Sequence, residues 1–217
     1  MDVAIAGGHG KVGMALGRML AERGDRARGL IRKPEHEPEL RDAGIEPVHC
    51  DLEAGSDVAA AIAGADAVVF AAGAGPGSGA DRKWTVDYAG AAKLVVAAHA
   101  AGVRRYVMVS AMGTDPPPSG DEVYAIYLRA KARADEELRA SGLDWTIVRP
   151  GGLTDDPGDG RVEVGESVGR GRVPRADVAA TLLAVLDEPA TVGVTFELVS
   201  GATPIAEAVA ALCPPAR

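Results

Sequence analysis

Tyr127 and Lys131 stand four residues apart in the segment YLRAK. On a helix, that spacing puts a phenol and an ammonium on one face. An ammonium beside a phenol lowers its pKa and lets it exchange protons near neutral pH. Ser110 ends the apolar run YVMVS, and its hydroxyl is placed to orient a carbonyl beside that phenol. Each residue alone is ordinary on a helix face or a strand end. Together they form a candidate proton-transfer set.

A second chemical feature lies near the start of the chain. The segment GGHGKVG places Gly7, Gly10 and Gly13 three apart, between the β-prone DVAIA and the helix-spaced MALGRMLAERG. After a first strand, Gly7 allows a tight turn, Gly10 a close approach of backbone to ligand, and Gly13 packing of helix on strand. The free amides and positive end of the helix dipole then face an anion. A dinucleotide pyrophosphate is expected there, with His9 as a spacer near the phosphates and Lys11 and Val12 opening the helix beside them. An NAD site usually carries a carboxylate about 20 residues beyond the glycines, for the ribose 2′-hydroxyl. Here the second strand ends in RGLIRKPEH, with Arg32 and Lys33 at that point and Arg28 within the strand. Cations there suit a 2′-phosphate, so NADP(H) is expected ahead of NAD(H). In HCDLE, Asp51 is placed to accept from the adenine amino group and Leu52 to pack on the ring, the competing reading being that Asp51 caps a helix. Small residues Ala71, Ala72 and Gly73 let backbone run beside the ribose.

These residues need elements to position them. Strand-like runs at 2–6, 26–31, 45–50, 66–72, 104–110 and 144–150 alternate with helix-like runs ending near 23, 43, 63, 101 and 141. The strands are continuous apolar runs, as a sheet covered on both faces demands. The pattern is α/β: a single doubly wound parallel sheet with a short C-terminal substrate-side extension. A long helix is expected over 81–101. The proline run in 113–122 breaks both helix and strand, and the Gly/Asp-rich 151–172 reads as a long loop with one short strand. Both follow strand C-termini, so both are expected as pocket walls or lids, with ordinary surface loops as the alternative. A helix over 175–189, a strand over 193–200 and a helix over 203–213 complete the chain. Arg175 and Asp177 open the first of these, Asp177 where a helix dipole favours an acid.

Composition narrows the function classes. The 217 residues carry a formal charge of −8, which argues against nucleic acid or an anionic membrane surface as the main partner. Aromatic residues are only 4%, so the core must be aliphatic. The longest apolar stretch, VAAAIAGADAVVFAAGAG, reads as helix end, turn and buried strand rather than a membrane span. Cys50 and Cys213 lack metal-ligand spacing, and no metal site is expected. A reducing cytoplasm is the default compartment. His36, His49 and His99 have no partners by spacing.

The combination of GGHGKVG, CDLE, VDYAGAAKLVVAAHAAGVRRYVMVSAMG, YLRAKARADEELRASGLDWTIVRPGGLTD and RADVA resembles the short-chain dehydrogenase/reductase superfamily, in its atypical NmrA-like and epimerase-like branch. The resemblance covers nearly the whole chain. It implies a Rossmann-type fold with cofactor at the C-terminal strand edge. It also implies Ser110, Tyr127 and Lys131 as the catalytic set, Tyr127 as proton donor, Lys131 on the nicotinamide ribose, and Pro150 and Gly151 beside the nicotinamide. Asp87 stands where the superfamily carries an Asn in its proton relay, and an ionised carboxylate accepts but does not donate. The expected activity is NADP(H)-dependent oxidation or reduction of a small carbonyl or alcohol. A non-catalytic NADP(H) sensor and a cofactor-recycling epimerase or dehydratase are the alternatives. The oligomeric state is open, a homodimer being one option.

Overall fold

The computed structural model describes residues 1–75 and 77–212. Its centre is a nine-stranded sheet. The first half alternates β1 (Asp2–Ala6), α1 (Lys11–Glu22), β2 (Arg26–Ile31), α2 (Glu37–Asp42), β3 (Glu46–His49), α3 (Val58–Ile62) and β4 (Ala67–Phe70). There follow α4 (Ala80–Arg82), a π-helical segment Lys83–Gly90, α5 (Ala91–Ala101), β5 (Arg105–Val109), α6 (Val123–Ala140) and β6 (Asp144–Pro150). The rest comprises β7 (Gly152–Thr154), β8 (Arg161–Gly165), β9 (Arg172–Pro174), α7 (Arg175–Asp187), β10 (Val194–Ser200), β11 (Thr203–Pro204) and α8 (Ile205–Ala211).

The strand order is β11-β8-β10-β6-β5-β4-β1-β2-β3. From β3 across to β10 every pairing is parallel. The C-termini of these strands therefore share one edge, and the order reverses at β1, whose neighbours are β2 and β4. Alternate residues of β1 feed opposite layers. Val3 and Ile5 pack with Leu16, Leu20, Val178, Leu182 and Val185 from α1 and α7. Ala4 and Ala6 pack with Val68, Phe70, Leu94, Ala98 and Leu138 toward α5 and α6. A strand buried on both faces needs an unbroken apolar run, which is why DVAIA does not alternate.

Three expectations are corrected. The run 151–172 contains two strands and the first residue of a third, not one strand. In RVEVG, Val162 and Val164 alternate with charged residues, and β8 adds antiparallel to β10; β7 and β9 form a separate parallel pair. The sheet is thus not wholly parallel at its C-terminal side. The expected single helix over 81–101 is three consecutive segments, with the π-helical turns burying Lys83, Val86, Asp87 and Gly90. In the stretch 113–122, Gly113 reaches a cleft wall, while Pro118 and Gly120 accept from Arg129 instead. The final helix ends at Ala211, and Cys213 lies outside the described residues. No helix of the described residues is long and apolar enough to cross a membrane.

Candidate active site

The β1–α1 turn is built by close backbone approach. Gly7 has φ +83°, and a Cβ there would lie 2.7 Å from Ala72 backbone. A Cβ on Gly13 would lie 2.4 Å from the Gly7 carbonyl oxygen, and one on Gly8 2.4 Å from Gly29 Cα. Gly10 differs: a Cβ there would meet only the Gly7 oxygen, at 3.1 Å, and would otherwise project into a pocket of about 360 Å³ that Gly10 lines. No side chain caps α1, and its first turn carries no acid. Its free amides and dipole end therefore face a cradle that a side chain would fill, which fits a pyrophosphate.

The pocket continues past the ends of β2 and β3. Leu30, Ile31, Arg32, His36, Asp51, Leu52, Ala71, Ala72 and Gly73 all reach it. Asp51 does not cap α3; Asp57 does, accepting from the Ala60 amide. The Asp51 carboxylate instead accepts from the Glu53 amide at 2.8 Å. Glu53 gathers three partners from separate elements: Thr85 Oγ1 at 2.6 Å, Arg82 at 2.6 Å and Arg32 at 3.4 Å. The Thr85 and Arg82 hydrogen bonds hold its carboxyl below the usual range. Arg28 faces away from this pocket. It pairs with Asp2 at 2.8 Å and donates to Ala63 O at 3.1 Å, beneath the sheet's other edge. Lys33 stands 3.4 Å from Glu35, and Lys11 reaches Asp155, which Arg175 also binds. Neither Lys11 nor Lys33 is among the residues that line the pocket.

A larger cleft, about 1100 Å³, adjoins this pocket along residues 71–74. It brings Ser110, Tyr127, Lys131, Asp87, Pro150 and Gly151 together, with Val12 at its floor. Lys131 and Asp87 are 3% and 1% exposed. Lys131 Nζ donates to Val109 O at 2.9 Å and lies 3.6 Å from Asp87 Oδ1. Burial pushes the ammonium's pKa down, and the Asp87 charge opposes that. Asp87 Oδ2 accepts from the Ala74 amide at 3.3 Å, so the buried pair also fastens the loop after β4. Four residues before Asp87, on the same π-helical segment, Lys83 Nζ lies 5.5 Å from the Tyr127 ring centroid. Lys83 also donates to Gly75 O at 2.9 Å.

The expected lowering of the Tyr127 pKa calls for Lys131 and the bound cofactor together, and Lys131 by itself does not produce it. Burial pushes the phenol up, and the Asp87 carboxylate adds to the shift. The Lys131 ammonium is already engaged by Val109 and Asp87. The phenol is thus a proton holder at neutral pH. Ser110 Oγ is buried at the cleft wall beside the Asp135 carboxyl, whose pKa the hydroxyl helps to hold down against burial.

Pattern reasoning missed several residues. Asp135 and Arg149 form a buried pair at 3.0 Å beneath the site. Asp177 is no mere dipole partner: its carboxylate accepts from the Gly160 amide at 2.9 Å and pins the loop before β8. Arg175 does reach the larger cleft, and Arg170 lines it too. Cys50 is buried in the wall of the smaller pocket, and burial pushes its thiol pKa up.

Comparison with known proteins agrees with this geometry. Residues 7–189 match the NAD(P)H-binding family. The uncharacterized sugar epimerase YhfK of Bacillus subtilis (strain 168) is 42% identical over 211 residues, covering 96% of this chain and 99% of its own. The structure of the Bacillus halodurans "putative NAD-dependent epimerase/dehydratase" superposes with TM-score 0.92 at 41% identity, over 97% of this chain and 99% of that one. The oxidoreductase ylbE of Lactococcus lactis gives TM-score 0.86 at 29% identity, over 98% and 96%. The chain belongs to the NAD(P)H-binding, Rossmann-type family, in its NmrA-like, atypical short-chain dehydrogenase/reductase branch.

Proposed function

We propose that this protein is an NADP(H)-dependent oxidoreductase that reduces a small carbonyl compound, with Tyr127 as proton donor. The observation that carries the reading is the single cleft in which Tyr127, Ser110 and the Asp87–Lys131 pair meet beside the uncapped start of α1. When bound, the nicotinamide supplies the hydride. The chain's residues supply the rest. Burial keeps the Tyr127 phenol protonated, which suits donation to a developing alkoxide rather than removal of a proton. The Ser110 hydroxyl, in the same cleft wall, is placed to donate to a carbonyl oxygen. Lys131, held by Val109 O and Asp87, offers a rigid ammonium to the ribose hydroxyls. Asp87 accepts but does not relay a proton. Arg32 in the adenosine-side pocket, with no carboxylate ending β2, supports NADP(H) over NAD(H).

The names of two relatives, an epimerase and an epimerase/dehydratase, favour a second reading in which the cofactor is recycled. One experiment separates the two. NADPH consumption is followed against a panel of small aldehydes and ketones with wild type and Tyr127→Phe, while calorimetry gives the Kd for NADP⁺. The proposal expects net NADPH loss, reduced at least about 100-fold in the variant, with Kd changed less than about threefold. Unchanged turnover in Tyr127→Phe refutes the role of the phenol. Product formation from a sugar substrate without net NADPH change establishes the second reading.

A further inference from the structure

Two histidines face the adenosine-side pocket, and the reading above uses neither. His9 lies in the glycine turn. His36 closes the 3₁₀ turn Pro34–His36 that follows β2. Their rings are parallel within 9°, with centroids 3.6 Å apart. Both line the same pocket as Arg32. His9 Nε2 lies 2.8 Å from Glu39 Oε2, which fixes one edge of the stack to α2. The pair therefore joins the β1–α1 turn to the turn after β2, in the same pocket wall as Arg32, which immediately follows β2. In doubly wound folds that residue position meets the ribose 2′ group.

We propose that the stacked His9–His36 pair is a specificity-determining part of the 2′-phosphate site, and that His36 takes up a proton when the phosphate binds. The inference rests on the NADP(H) reading. The surrounding charges create the need for that proton. Arg32 and Arg82 both reach Glu53, and Lys33 faces Glu35. With Glu39 on His9 and Asp51 in the pocket wall, carboxylates outnumber these cations around the stack. A phosphate arriving there gains from a further positive charge, and a protonated imidazole supplies it as a donor. Imidazole is the side chain whose ordinary pKa lies nearest neutrality. His49 is held by Glu37 and does not line the pocket. Burial, with the His9 ring beside it, pushes the His36 pKa down, so His36 is neutral before the phosphate arrives. Binding then draws a proton onto His36, and affinity for NADP⁺ falls as pH rises.

Calorimetry of NADP⁺ and NAD⁺ at pH 6 and pH 8 tests this. NAD⁺ lacks the phosphate, so the ratio of the two Kd values isolates it. The ratio is expected to favour NADP⁺ about tenfold more at pH 6 than at pH 8, out of a limit of about 100-fold for one full proton. His36→Phe keeps a ring in the stack and should abolish the difference. His36→Arg fixes the charge and should keep a strong NADP⁺ preference at both pH values. A thermal melt of each variant verifies folding. A wild type that prefers NADP⁺ equally at both pH values, or a His36→Phe variant with an unaltered pH difference, overturns the inference alone. A wild type without NADP⁺ preference at either pH overturns the NADP(H) reading and this inference with it.

Discussion

Replacing Lys131 by Met tests the charge pairing at the centre of the cleft. The substitution keeps most of the side chain's volume but removes the ammonium from beside Asp87, which is 1% exposed. At 3.6 Å the two charges attract by about 4–5 kcal/mol for an effective dielectric near 20. Desolvation of both groups offsets much of that in the intact pair. Removing one partner strands the other, which costs about 3–5 kcal/mol for a buried pair. Asp87 lines the cleft, so the lower end applies, about 3 kcal/mol. For a chain of this length that lowers Tm by about 6–12 °C. The double variant Asp87→Asn/Lys131→Met removes the stranded charge and should recover at least about 2 kcal/mol, by the same bookkeeping. Urea denaturation at pH 7 of wild type, single and double variants measures all three. Turnover should stay lost in the double variant, so stability returns without activity. A single variant within about 0.5 kcal/mol of wild type, or a double variant no more stable than the single, refutes the pairing.

Arg32→Ala should raise the Kd for NADP⁺ about 10-fold or more, the loss of a charge-assisted hydrogen bond, and leave NAD⁺ within about twofold by calorimetry. Gly13→Ala puts a Cβ 2.4 Å from the Gly7 carbonyl oxygen, which is backbone with little room to yield. It should cost about 1–3 kcal/mol of stability, with a parallel loss of dinucleotide binding, read by thermal melts with and without NADP⁺. The carboxyls of Glu46, Glu53 and Asp144 are held low by hydrogen bonds from Arg26, Thr85 and Arg104 respectively. Folded-state values below the unfolded ones add stability that is present above about pH 4.5 and lost as pH falls further. The urea midpoint should therefore be flat from pH 8 to about 5.5 and fall below about 4.

The glycine turn was readable because a local rule covers it: strand, glycines and helix are contiguous, and Gly7 carries the positive φ that the turn requires. Tyr127 and Lys131 were readable because helical spacing puts them on one face. What the lysine does there was not readable. Its partners, Val109 O and Asp87, come from β5 and the π-helical segment, and periodicity carries no information about either contact. Burial and the Asp87 charge raise the Tyr127 pKa, a tertiary effect with no local signature. The Glu53 hub failed to show for the same reason: Arg32, Arg82 and Thr85 reach it from three elements. The strands within 151–172 were masked by glycine and aspartate, although the Val162/Val164 alternation was a usable signal. His36 carried no signal by spacing, because its partner His9 lies one strand away in the fold.

An acidic chain that binds a dinucleotide faces a general electrostatic obstacle, since a net charge of −8 repels phosphates at long range. Screening limits that repulsion to about 8–10 Å at physiological salt, so the local arrangement decides. Many surface carboxylates here are bound to cations: Asp25 by Arg23, Glu37 by Arg41, Asp144 by Arg104. The cleft side keeps Lys83, Arg170 and Arg175 at its walls, together with the uncapped end of α1. Arg175 is itself paired with Asp155, so the cleft wall follows the same pattern of cations held by carboxylates. The same arrangement explains why cations in the adenosine-side pocket are tied to Glu53. An arginine held by a carboxylate keeps its geometry until a stronger acceptor arrives, and the exchange of Glu53 for a phosphate would keep the guanidinium groups paired throughout.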